Sequence, residues 1–125
     1  MYLGTTPNTS YTILETNALA VTELYISDPI NNPSLPNVNT TISDLTGLQG
    51  FTNLVRFAAN DNSITSIDVT QNTSLEWLFV KNNQLTSMDI SNNLALTRLY
   101  AEGNLFSTIH VSNNAVLERL VINDN

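Results

Sequence analysis

Cysteine is missing from this sequence, which rules out disulfides, thiolate metal sites and cysteine nucleophiles together. Positive charge is nearly missing: four Lys and Arg residues face eleven Asp and Glu residues, for a formal net charge of -7. A chain of that sign repels phosphate backbones and anionic headgroups, so no nucleic-acid partner is expected. Long apolar runs are absent too. No stretch approaches the ~20 residues that cross a bilayer, so no membrane insertion is expected, and the opening segment from Met1 to Pro7 lacks the basic and apolar regions of a secretory signal. Gly-rich phosphate loops and the G-x-S-x-G elbow are not found, and the single histidine, His110, has no recognisable nucleophile setting. The sequence therefore reads as no enzyme, with no cofactor and no metal.

Asn, Thr and Ser fill the space that charge leaves. With 42% hydrophobic and only 12% charged residues, the composition points to a β-rich surface and away from a helical bundle. The length of 125 residues suits one core.

Self-similarity organises the rest. The segments Leu54 to Asn62, Leu75 to Asn83, Leu96 to Asn104 and Leu117 to Asn125 align without a gap, each starting 21 residues after the last. Numbering each turn from its first Leu, slots one, four and six are apolar and point inward. Slots two, three, five, seven and eight face outward, onto the inner, concave side of a curved stack. Slot nine is Asn in all four turns (Asn62, Asn83, Asn104, Asn125). It stands where the chain bends out of the strand and backbone groups lose their ladder partners, and a buried carboxamide can both donate to and accept from them. Slots fourteen and sixteen are apolar around a polar slot fifteen, as in Ile67, Asp68 and Val69, and this alternation predicts a second, shorter strand on the convex side. The pattern L-x-x-L-x-[AVI]-x-x-N-x-[ILF] is the leucine-rich-repeat signature. The expected fold is mainly β: a curved, parallel leucine-rich-repeat solenoid with a short N-terminal cap and little helix.

The solenoid is expected over residues 21–125, with regular 21-residue turns from position 54. Val21 to Ile26 repeats the strand pattern, and Ile42 to Leu54 carries the apolar spacing into the next turn. Between them, residues 27–41 hold three of the four prolines and form an inserted loop. Residues 1–20 lack the repeat and are expected to cap the first turn through Ile13, Leu14 and Leu19, because a solenoid end is a raw core.

These segments resemble the 21-residue class of bacterial surface leucine-rich repeats, the internalin-like proteins and similar repeats of Bacteroidetes exported proteins. The resemblance covers Ala20 to Asn125. Asn82 to Asn93 is close to the class consensus, and Ile42 to Leu48 is similar to its first-turn sequence. Several relatives carry Cys at slot six, stacked as a ladder; here Ala59, Val80, Ala101 and Ile122 keep the packing role without the thiol. The cap is shorter than in the family and the Pro-rich loop is extra. The resemblance implies protein or host-surface recognition, exposure outside the cell or on its surface, and no catalysis.

All four basic residues fall in concave slots: Arg56, Arg98 and Arg119 at slot three and Lys81 at slot seven. Trp77 shares slot three, and Tyr25, Phe79 and Tyr100 share slot five. Rungs about 4.8 Å apart let indole stack on guanidinium and Phe79 lie beside Tyr100, giving a stripe of residue types enriched at binding hot spots. The alternative is that the aromatic side chains only shield the sheet, while Glu76, Lys81, Glu102 and Glu118 pair internally with the basic groups. Arg98 and Arg119 share a column in which like charges repel, a repulsion that an anionic partner would relieve.

A protein partner bound by this stripe is the leading expectation. A structural subunit of a larger assembly, such as a virion or surface appendage, and glycan binding through Trp77, Phe79 and Tyr100 are the alternatives. Leu117, Leu120 and Ile122 have no following rung, so further repeats, self-association or an assembly neighbour are expected to cover them. His110 replaces Asp68 and Asp89 of the preceding turns on the convex side and is expected to be solvated. The Asp column is expected to accept local backbone hydrogens. The sequons at Asn8, Asn39 and Asn72 are what so Asn- and Thr-rich a chain yields by composition.

Overall fold

The computed structural model of the chain describes residues 15–33, 35, 38 and 40–125. Ile13 and Leu14 of the expected cap lie outside the described residues, as do Ser34, Pro36, Asn37 and Asn39 of the inserted loop.

Five three-residue strands form among the described residues: β1 (Glu23–Tyr25), β2 (Arg56–Ala58), β3 (Trp77–Phe79), β4 (Arg98–Tyr100) and β5 (Arg119–Val121). They pair in parallel, in chain order, as one sheet. The register follows the repeat: Trp77 lies opposite Arg98, Leu78 opposite Leu99, and Phe79 opposite Tyr100. The fold is thus a parallel β-solenoid with almost no helix. Among the described residues one six-residue helix, α1 (Glu15–Ala20), and one 3-10 turn at Leu48–Gly50 complete the regular structure.

The core is built column by column. Leu54, Leu75 and Leu96 from slot one, Phe57, Leu78 and Leu99 from slot four, and Ala59, Val80 and Ala101 from slot six are all buried. Each of these three turns therefore removes the same three side chains from water, with about 1.5 to 3 kcal/mol gained for each large one. From α1, Ala18 enters this core, whereas Leu19, expected to cover the first turn, is 42% exposed. The helix phase decides this, since neighbouring helical residues point about 100° apart.

Two asparagine columns satisfy the backbone where the strands end. At slot nine, the Asn83 amide donates to the Ala59 and Val80 carbonyls at 2.9 and 3.0 Å, and its Oδ1 accepts the Ile64 N–H at 3.1 Å. Asn62 and Asn104 repeat the arrangement. Slot eight immediately before it turns the chain with positive φ, through Asp61, Asn82, Gly103 and Asp124, residue types that tolerate the left-handed region.

The second column stands at slot nineteen. Asn72, Asn93 and Asn114 are buried; Asn93 donates to the Val69 and Asn72 carbonyls, and Asn114 to those of Ile90 and Asn93. Asn72 donates to Leu48 and Phe51 in the same way, so its sequon is occupied by the interior of the fold.

The expected convex strand at slots fourteen to sixteen does not form. No β-strand is found there in any turn. The backbone is satisfied locally instead: Asp68 Oδ1 accepts the Thr70 N–H, Asp89 Oδ1 accepts that of Ser91, and the Val69 carbonyl accepts from Asn72 and Asn93. With these partners the chain turns, and no hydrogen-bonded ladder remains to be made.

Candidate functional site

The strands direct one row of side chains into the core and leave the other on the open face of the sheet, the side expected to be concave. On that face slot three reads, from β1 to β5, Glu23, Arg56, Trp77, Arg98 and Arg119, in register. Slot five reads Tyr25, Ala58, Phe79, Tyr100 and Val121.

Trp77 lies between two cations. The Arg56 guanidinium carbon is 4.0 Å from its ring centroid and that of Arg98 is 4.7 Å away, distances at which the ring quadrupole attracts charge. Phe79 packs nearly parallel to Trp77, with centroids 5.8 Å apart, and edge-on to Tyr100 at 4.7 Å. The expected stripe is therefore contiguous from Arg56 to Tyr100. Tyr25 is set apart from its aromatic part, because Ala58 separates it from Phe79 along slot five, and reaches Arg56 through Glu23. Lys81 is half-buried just beyond β3.

Charge is distributed unevenly along the slot-three column. Glu23 Oε1 accepts from Arg56 Nη1 at 3.1 Å, and its Oε2 accepts the Tyr25 hydroxyl at 3.0 Å. This is the only ion pair among the described residues. The alternative, internal pairing of Glu76, Lys81, Glu102 and Glu118 with the basic groups, is not formed: Glu76 and Glu118 stand in slot two beside the slot-three arginines, and Lys81 and Glu102 share slot seven without making an ion pair. Arg119 donates from Nη1 to the Tyr100 hydroxyl oxygen at 3.3 Å, which holds its proton more firmly than usual. Two groups at the face are buried without a hydrogen-bond partner, Arg56 Nε and Glu102 Oε2.

Glu23 was not among the residues that the repeat singled out. The signal was there: aligning Val21 with Leu54 places Glu23 in slot three opposite Arg56. The inserted loop makes that offset 33 residues, where the regular turns repeat at 21, and so hides the match.

Elsewhere the structure separates candidates. On the convex side His110 is exposed, beside a shallow groove of about 210 Å³ that it shares with Asp89 and Ser91. The Asp carboxylates there accept locally, as expected. Hydroxyl and backbone donors at Thr46, Thr70 and Ser91 hold Asp44, Asp68 and Asp89 below the usual carboxylate range. Among the described residues no three His, Cys, Asp or Glu side chains group closely enough to hold a metal ion. At β5 and just beyond it, Leu120 and Ile122 are 38% and 40% exposed, where their column-mates Leu99 and Ala101 are fully buried; Leu117, just before the strand, is partly buried.

Solved structures share this architecture. The functional domain of the internalin InlJ from Listeria monocytogenes superposes with a TM-score of 0.74 at 30% identity, covering 85% of this chain and 21% of that one. Internalin C2 from the same organism matches at 0.70 and 30% identity, over 84% of this chain and 53% of that one. The chain is an internalin-like leucine-rich repeat. A leucine-rich-repeat protein from Leptospira interrogans shares the fold at 0.64 and 19% identity, over 90% of this chain and 34% of that one. This internalin-like chain thus spans about a fifth to a half of the length of the proteins it matches. The InlJ domain includes a cysteine ladder; the present repeat has no cysteine and fills slot six with Ala59, Val80 and Ala101. No protein-family model matches the sequence, nor does any curated protein.

Proposed function

We propose that this chain is a non-catalytic module that recognises another protein through the concave face of its sheet, outside the cell or on its surface. The observation that carries the reading is the continuous cluster of Arg56, Trp77, Arg98, Phe79 and Tyr100 on that face. Arg, Trp and Tyr are the residue types that supply most binding energy at protein interfaces, because each brings large contact area with directional donors. The cluster rests on strands whose ends are tied by buried asparagines, so little order remains to be imposed on binding. Internalin-like relatives support both the role in protein interaction and the extracellular setting.

Selection of partners from a displayed protein library tests this reading. Binders should lose affinity for Trp77→Ala and Phe79→Ala while tolerating the convex His110→Ala. Binders that ignore the first two changes and respond to the third would refute it.

A further inference from the structure

We infer that the β4–β5 end of the concave face takes a carboxylate of the partner, so that the recognised protein segment is acidic. The inference rests on the concave-face reading and goes one step further, to the chemistry of the ligand.

The slot-three column is electrostatically divided. At its β1 end, Glu23 already occupies Arg56 and Tyr25 through its two oxygens, so that end carries its own carboxylate. At its β5 end, Arg98 and Arg119 are exposed, are paired across neighbouring strands, and have no carboxylate within ion-pair distance among the described residues. Glu76 and Glu118 are near in sequence but stand in slot two. Strand spacing puts the two Arg backbones about 4.8 Å apart, where like charges oppose one another. A carboxylate between them removes that repulsion and accepts from both guanidinium groups, whose planar forks suit its geometry.

Tyr100 completes the site. Its oxygen accepts from Arg119, which leaves its own O–H as a donor toward the same place, while Arg98 is held from the other side by Trp77. The β1 end thus serves as an internal template: Arg, Tyr and a carboxylate in contact, with the carboxylate supplied by the chain itself. At the β5 end the Arg and Tyr donors recur without the carboxylate.

Hexaglutamate, titrated into the nitrogen-15-labelled chain at low salt, tests the proposal, with hexalysine and a heparin hexasaccharide as comparison probes. Hexaglutamate should shift the side-chain N–H signals of Arg98 and Arg119. Arg98→Gln and Arg119→Gln should each weaken it about two- to fivefold, the range for exposed ion pairs, and added salt should weaken it further. Glu23→Gln should strengthen it by releasing Arg56, and the convex His110→Gln should leave it unchanged. Backbone amide spectra of the variants report that the fold persists. Binding that ignores both Arg substitutions, or a preference for hexalysine, overturns the inference. Tighter binding of the heparin fragment than of hexaglutamate also overturns it, in favour of an anionic glycan. A library-selected binder that maps to Trp77 and Phe79 but is indifferent to Arg98 and Arg119 sinks this inference and leaves the concave-face reading standing. Binders mapping only to the convex side sink both.

Discussion

Neighbouring side chains on one strand live in opposite surroundings. Leu78 is fully buried while Trp77 and Phe79, on either side of it, are half-exposed. Leu78→Ala is therefore expected to lower stability by about 2 to 5 kcal/mol through lost burial and a residual cavity. Trp77→Ala should change stability much less, since it removes contacts from an open face. Guanidinium unfolding of both variants checks this, and equal losses would show that the register is misassigned. The same scale governs the asparagines. Asn83 satisfies backbone groups on two turns. Asn83→Leu, with the same branching and number of heavy atoms, leaves the Ile64 N–H without its partner and the Ala59 carbonyl with the Asn62 amide alone, with an expected loss of about 1 to 3 kcal/mol. A thermal midpoint as high as wild type would show that water replaces the amide at no penalty.

The unit of the element scale is the convex turn. Asp44, Asp68 and Asp89 each accept a backbone N–H and a hydroxyl two residues on, and these donors lower their folded pKa below 3.8. A carboxyl more acidic in the folded than in the unfolded state stabilises the fold at pH values above its unfolded pKa. That contribution is lost as pH falls through the lower, folded value. The chain is therefore expected to keep its thermal midpoint down to about pH 4 and to lose stability below it. Replacing all three Asp by Asn should flatten this acid limb, and melting curves between pH 2 and 7 read it directly. An unchanged acid limb in the triple variant would place the titrating groups elsewhere. These turns also explain why alternation at slots fourteen to sixteen did not produce a strand. The apolar positions still pack, since Val69 and Ile90 are buried, but packing and strand pairing are separate requirements. The polar residue at slot fifteen meets the backbone's needs before a ladder can.

Across the whole molecule, each turn touches only its neighbours, so stability is a sum of rungs and interfaces. The rungs are unequal. The slot-four position is fully buried at Leu78 and Leu99 but 38% exposed at Leu120, and Leu120→Ala is expected to cost under about 1 kcal/mol, well below Leu78→Ala. Strand β5 has a partner on one side only, and an exposed edge above apolar side chains invites pairing. The 125-residue chain is thus expected to associate as its concentration rises, and Leu120→Lys with Ile122→Lys to suppress this. Light scattering across a concentration series decides the matter. A monomer at every concentration in the unsubstituted chain would count against the edge as a contact surface.

The architecture was legible because it is periodic. A gap-free 21-residue spacing makes equivalent positions stack, so assigning slots one, four and six to the core and slots three and five to the open face required only alternation along a strand. The slot-nine asparagines were legible for the same reason, being polar at a place where strands end. Slot nineteen obeyed the same period and was overlooked because its asparagines sit among other polar residues, where nothing local distinguishes a buried amide from a solvated one. What periodicity could not supply was anything that depends on the insertion or on side-chain direction. The pairing of Glu23 with Arg56 arises because β1 lies beside β2 in that register, a matter of packing across 33 residues of chain that no local pattern records. The placing of Trp77 between two guanidinium groups, and the failure of glutamates one column away to reach the basic residues, were likewise decided by where strand geometry points each side chain.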